Sequence, residues 1–238
     1  MKYNITALII FITISLNGQW SNTFSHDIKC VHAKTENDNF LFNPEYNWQS
    51  KFLFDYDVTS YVLDLHVSDT STFVSGNVSI NAVALIDIDT FAFELVPEQQ
   101  ISNILVNGDL VTNFYRENDN VIMPIPLIEA GGVIEARIYY EGKPSGGGFF
   151  TGVTTDYSAA WDKHVTWTLS EPFSAKQWFP VKQDLQDKAD SAILNFTTSS
   201  TNMVGSEGLL KNVVDLGNGK KRYEWKTNYP IDYYLITF

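Results

Sequence analysis

The residues of this chain that are placed to do chemistry are few. The most specific order among them runs from Thr168 to Ser191, TLSEPFSAKQWFPVKQDLQDKADS. An acid beside a proline, Glu171-Pro172, precedes an aromatic-aromatic-proline step, Trp178-Phe179-Pro180, and a turn-rich charged run then leads into an apolar strand. Pro172 restricts Glu171 to an extended backbone, which suits a side chain projecting from a strand end. A carboxylate held there can make a charge-assisted hydrogen bond to an ammonium group. Trp178, Phe179 and Pro180 read as core plugs beneath that loop, and the paired acids Asp187 and Asp190 read as solvated loop charges.

Other constellations fall away quickly. His26, His32, His66 and His164 are scattered, none lies in an HExxH arrangement, and zinc-ligand spacing is absent. A Ser/His/Asp triad could be drawn through His164, but no GxSxG elbow exists. The glycine-rich stretch Glu141 to Gly152, EGKPSGGGFFTG, lacks both the Gly-Lys-Ser/Thr ending and a following helix, so it is not a phosphate loop. Cys30 is the only cysteine, which excludes an intrachain disulfide.

The elements that must position Glu171 are strands. Tyr61, Leu63, Leu65 and Val67 alternate with Val62, Asp64 and His66, a period of two that puts His66 on the polar face. Val74, Gly76, Val78, Ile80 and Ala82 repeat the pattern, and Val133 to Tyr140 repeats it again. Thr90 to Leu95 places Phe91, Phe93 and Leu95 on one side. Ile101 to Val106 runs into the turn signal Asn107-Gly108-Asp109, with Leu110 to Phe114 as the return arm of a hairpin. Val121 to Ile125 carries Pro124 and is expected at a sheet edge, because proline cannot donate to a ladder. A second hairpin is expected from Val213 to Asp215, through Gly217-Asn218-Gly219, to Arg222 to Trp225. Acceptor tripeptides for glycosylation at Asn77 to Ser79 and Asn195 to Thr197 fall within strand patterns.

With 238 residues, 44% of them hydrophobic and 14% aromatic, the chain can bury the core of one large all-β domain. A net charge of -12 disfavours nucleic acid and anionic membranes, whose phosphates would be repelled. Residues 1–20 carry Lys2 and an apolar run from Ile5 to Leu16 that is short for a membrane span. They read as a secretory signal peptide, with an uncleaved anchor as the alternative, and imply a periplasmic or extracellular destination. Residues 21–51 are polar and aperiodic, a linker or arm, and residues 52–238 form the β-domain.

The order from Glu171 to Pro180 and beyond resembles the signature in the N-terminal domain of aminopeptidase N-type zinc metallopeptidases, the gluzincin aminopeptidases that include leukotriene A4 hydrolase. There an acid- or amide-containing segment precedes a "wFPc-D" step, and the domain closes on a "pm-YL-f" strand, here Tyr229 to Phe238, YPIDYYLITF. Tyr140 to Gly142 and Gly148 to Phe150 match the outline of the family's preceding "y-G-l...GfY-s" segment. Val181 stands where the family has cysteine, and the spacing to the following acid is stretched, with Asp184 or Asp187 as candidates. The resemblance implies an all-β antiparallel sandwich or saddle. It further implies that Glu171 binds the free α-amino group of a peptide substrate, and that a thermolysin-like catalytic domain, absent from these residues, supplies the zinc. On that reading the chain holds no cofactor, is inert alone, and serves an exported aminopeptidase as recognition domain and scaffold. The alternative is a secreted β-sandwich binding or adhesion module without peptidase activity.

Overall fold

The computed structural model describes residues 49–144 and 152–238. The expected leader, most of the polar arm, and the stretch containing Gly148 to Phe150 lie outside the described residues. After a 3-10 turn at Lys51–Asp55 come β1 (Tyr56–Ser68), β2 (Ser71–Ala84), β3 (Ile88–Glu94), β4 (Gln99–Val106), β5 (Asp109–Leu110), β6 (Tyr115–Glu117) and β7 (Asn120–Ile128). They are followed by β8 (Val133–Gly142), β9 (Gly152–Ser158), β10 (Lys163–Leu169), β11 (Ser191–Ser199), β12 (Leu209–Gly217) and β13 (Lys220–Thr227). A large sheet has the order β12-β13-β11-β1-β2-β8-β4-β5, a smaller one β3-β7-β6, and β9 and β10 form a hairpin of their own.

The all-β expectation holds, and the alternation seen in the sequence is the reason. In β8 exposed and buried residues alternate, with Ile134, Ala136, Ile138 and Tyr140 inward. Tyr61, Leu63 and Leu65 of β1 join Val78 and Ile80 of β2 and Leu194 and Phe196 of β11 in one core with Phe91, Phe93 and Met123 of the smaller sheet. His66 is exposed, as its place on the polar face of β1 requires. A bulge between Val58 and Ser60 keeps both Val58 and Tyr61 inward although they are three positions apart in sequence. Both Asn-Gly steps, Asn107-Gly108 and Asn218-Gly219, have positive φ at both residues and close the two expected hairpins.

Four features differ from expectation. The pair β1 and β11 is parallel, because the segments that enter both strands are tied together at one end of the sheet. Pro124 lies in β7, the middle strand of the smaller sheet, but β6 covers only Asn120 to Ile122, so the β6 side is unpaired at the proline. Tyr229 to Phe238 is not a strand. Ile231 makes a single bridge to Ala189, and the chain then tightens into a 3-10 turn at Tyr233–Leu235, burying Tyr233 and Ile236 three positions apart rather than two. The return arm of the first hairpin is also short, with only Asp109 and Leu110 in β5.

Gly76 lies opposite Leu65 with φ +143°, and a Cβ there would stand 2.1 Å from the Asp64 carbonyl oxygen, a backbone atom that cannot swing away. Gly76→Ala is expected to lower unfolding stability by on the order of 3 kcal/mol, read as a lower urea midpoint at unchanged slope. Gly108→Ala, where nothing lies within 4 Å of the added carbon, should lose only about 1 kcal/mol. Equal losses at the two positions would contradict the close approach of β1 and β2.

Candidate functional site

Glu171 sits just beyond the end of β10, exposed, in a turn that covers residues 171–174. The chain on both sides of it is fixed. Ser170 is fully buried, its hydroxyl accepts the Trp178 indole N–H at 3.0 Å, and its carbonyl accepts the Ser174 amide at 3.0 Å. The Pro172 carbonyl accepts the Tyr233 hydroxyl, and the Glu171-Pro172 peptide is cis. Beneath, Trp178 and Phe179 are fully buried, with ring centroids 4.5 Å apart, and the Trp178 carbonyl accepts the Tyr140 hydroxyl at 2.7 Å. Phe238 closes on the Trp178 ring at 5.5 Å and returns its backbone to Thr168. The aromatic step is thus a plug under the loop, as its composition suggests.

The Glu171 carboxylate has no hydrogen bond or ion pair among the described residues. Its surroundings are already sorted by charge. Lys188 pairs with Asp232 at 3.1 Å, and the Tyr234 hydroxyl donates to the same carboxylate at 3.3 Å. The Tyr234 phenol is pushed above its ordinary range by partial desolvation first and by Asp232 next, with Glu171 adding to the negative field and Lys188 opposing it.

The charged run after Pro180 departs from the sequence reading. Asp187 is not a solvated loop charge: its side chain is 5% exposed and meets the Lys182 ammonium at 2.5 Å. The same carboxylate accepts the Val58 amide at 3.2 Å, while Lys182 donates to the Tyr56 carbonyl at 2.6 Å. Of the two candidate acids, Asp187 therefore takes the buried place, and Asp184 stands 3.9 Å from Lys182. Asp190 is exposed, as expected. Burial raises the Asp187 pKa against the pull of Lys182, and burial likewise pushes up the Tyr56 and Tyr61 phenols.

Sequence reasoning missed Glu94, Lys182 and Gln183. Glu94 is fully buried at the end of β3, where Val181 pairs with it backbone to backbone along the strand's edge. Its carboxylate accepts the Gln183 amide at 2.8 Å, the Gln183 side chain at 3.2 Å and the Gln49 side chain at 3.1 Å. Phe91 and Phe93 signal one buried face of β3, but nothing local signals the other.

No group of three or more His, Cys, Asp or Glu side chains among the described residues is placed to hold a metal ion. A cleft of about 460 Å³ lies between β10 and the ends of β1 and β11, lined by residues including Asp69, His164 and Asn202, and Glu171 is not part of it. Glu171 stands on an open surface.

No known family pattern matches the sequence, and no curated protein sequence does. Solved structures do match in fold. An M1 zinc metallopeptidase from Deinococcus radiodurans superposes with a TM-score of 0.67 at 21% identity, over 77% of this chain and 41% of that one. The fold is that of the N-terminal domain of an M1-type aminopeptidase. Another structure of the Deinococcus peptidase, with a Tyr-Ser-Ala substrate bound, matches at a TM-score of 0.65 and 20% identity, over the same 77% and 41%. Yeast LTA4 hydrolase in complex with bestatin matches at 0.59 and 16% identity, over 77% of this chain and 28% of the hydrolase. The matched region thus spans less than half of each of these M1-type chains.

Burial raises the Glu94 pKa above its ordinary 4.5, outweighing the hydrogen bonds from Gln183 and Gln49 that lower it. The folded chain therefore keeps this proton at pH values where the unfolded chain has lost it. The resulting stability is fully present below about pH 4.5 and declines as pH rises through the raised pKa. Glu94→Gln, which cannot ionise, should flatten that decline in urea titrations run between about pH 4 and pH 7. Parallel stability-pH curves for the two proteins would show that Glu94 is not the group responsible.

Proposed function

We propose that this chain is the N-terminal substrate-recognition and scaffold domain of an exported zinc aminopeptidase, and that Glu171 binds the free α-amino group of the peptide whose first residue is removed. The observation that carries the reading is the exposed, unmatched Glu171 carboxylate on a loop whose two flanks are both tied down. A charge-assisted bond to an ammonium needs an acceptor that is fixed before the substrate arrives, since ordering the loop on binding would consume much of its strength. The fold shared with M1 metallopeptidases, one of them solved with a tripeptide substrate, supports the same reading.

In this proposal a thermolysin-like catalytic domain belongs to the same protein and holds the zinc. The present residues bind and orient the amino terminus, and they form one wall of the cleft. A free terminus is accepted and a blocked one rejected, because an acylated nitrogen has neither the charge nor the donors to match Glu171. Residues 1–20 direct export to the periplasm or beyond the cell. Alone, the 238-residue chain neither binds stoichiometric zinc nor hydrolyses aminoacyl substrates.

The test uses the longer protein. Glu171→Ala is expected to lower kcat/KM for substrates with a free amino terminus by about 10- to 100-fold while zinc content stays constant, and Glu171→Gln, which keeps an acceptor, should lose less. Unchanged kcat/KM in Glu171→Ala would remove the anchor role. A coding sequence without a downstream HExxH segment would remove the peptidase reading altogether and favour a β-sandwich binding module.

A further inference from the structure

Among the described residues, the outermost strand of the large sheet has no partner on its far side: β12 pairs there only with β13, and along its length every residue except Val214 is exposed. The exposed set includes Leu209 at 66%, Leu210 at 44%, Val213 at 47% and Leu216 at 44%. Soluble proteins blunt such an edge with charge, proline or bulges, because its free N–H and C=O groups are a template for another strand. Here the edge carries bulges between Leu210 and Asn212 and between Asp215 and Gly217, with the regular stretch Asn212 to Asp215 between them.

The order of residues decides which strand fits. Leu210-Lys211-Asn212-Val213-Val214-Asp215-Leu216 reads as apolar, cation, then a centre, then anion, apolar. A twofold axis through Val213 would set Leu210 against the partner's Leu216, Lys211 against the partner's Asp215, and Val213 against its own copy. Each contact then occurs twice, as a closed isologous interface requires. Lys211 has no hydrogen bond or ion pair among the described residues, and Asp215 accepts only the amide of Gly217, at 2.9 Å. Cross-strand pairs of opposite charge and of apolar side chains are the stabilising units of an antiparallel ladder.

We propose that the free edge of β12 is a self-recognition surface: two copies of this chain associate by antiparallel β12–β12 pairing centred on Val213, with reciprocal Lys211–Asp215 ion pairs setting the register. Lys211 makes the edge selective, since a strand without an acid at the matching position leaves that cation unpaired in the interface. One strand pair buries well below the roughly 1,600 Å² of a standard interface, so the dimer is weak and its population depends on concentration. The proposal is independent of the peptidase reading and of Glu171.

Sedimentation velocity of the full chain, from micromolar to sub-millimolar concentration, should show a monomer passing to a dimer. Lys211→Glu alone and Asp215→Lys alone each set like charges opposite one another twice, and each should shift the midpoint to about tenfold higher concentration or more. The charge-swapped double variant should return it to within about threefold of the parent. Neither Lys211 nor Asp215 packs in the core, and circular dichroism of each variant checks that the fold is retained. A chain that stays monomeric throughout would overturn the proposal. So would association indifferent to both single reversals, as association through the apolar N-terminal run would be, or a double variant as impaired as the single ones.

Discussion

A lysine ammonium with almost no access to water must be matched completely or it destabilises the fold by several kcal/mol. Lys182 is 4% exposed, and its match is Asp187 together with the Tyr56 carbonyl. These partners are far apart in sequence but stand at the starts of neighbouring strands: Tyr56 opens β1, and Asp187 stands just before β11. Asp187 also takes the Val58 amide, so the ion pair closes a clamp across the entry of both strands. Two strands clamped at their starts run in the same direction. That explains the one parallel pair, Ser60 to His66 beside Ser191 to Thr197, in a sheet whose other ladders are antiparallel. Exchanging the pair for apolar residues of similar volume could preserve stability, but removing one partner alone would strand a buried charge and leave the Val58 amide or the Tyr56 carbonyl unsatisfied.

The same short segment joins the two sheets. Val181, next to Lys182, exchanges backbone hydrogen bonds with Glu94 at the end of β3, and Gln183, on the other side, donates twice to the Glu94 carboxylate. Trp178 and Phe179 fill the space between, with Phe179 edge-on to Tyr61 of β1 at 5.8 Å. Residues 170–190 contain little regular structure, and the buried rings and the ion pair anchor them to the core. Loop backbone usually goes to the surface because its polar groups need water. Here side chains and a neighbouring strand substitute for that water.

Most of the large sheet was legible in the sequence because period-two alternation reports directly on a sheet with one buried face, as in β1, β2 and β8. The two Asn-Gly turns were legible because their positive φ values suit few other residue pairs. What escaped shares one cause. Glu94, Asp187 and Lys182 look like ordinary surface charges, and each is buried by a segment distant in sequence: Val181 for Glu94, and the start of β1 for the other two. Tyr229 to Phe238 has the aromatic and β-branched content of a strand, but the position of its partner decided otherwise. After the single bridge at Ile231 no neighbouring strand continues the ladder, and Tyr233 and Ile236 are buried with the spacing of a turn. Glu171 was legible as a candidate from the order of residues around it. Its lack of a partner and the fixing of its flanks were not, since both depend on Tyr233 and Trp178.

Three carboxylates around this joint show how little residue type decides by itself. Glu94 is enclosed and held by amide donors, Asp187 is enclosed and held by an ammonium, and Glu171 faces water with neither. The chain carries an excess of acidic residues, so an exposed carboxylate is common and by itself predicts nothing. The backbone that carries Glu171 is tied on both sides without belonging to a strand. Ser170 is bonded to the Trp178 indole, and Trp178 is packed against Phe179 and Phe238, while Pro172 is held by Tyr233 from the terminal turn. Burial of the aromatic step and exposure of the acid are therefore one arrangement. The buried rings and Tyr233 hold both flanks of the loop, so under the proposed role an incoming amino terminus would not have to order the loop first.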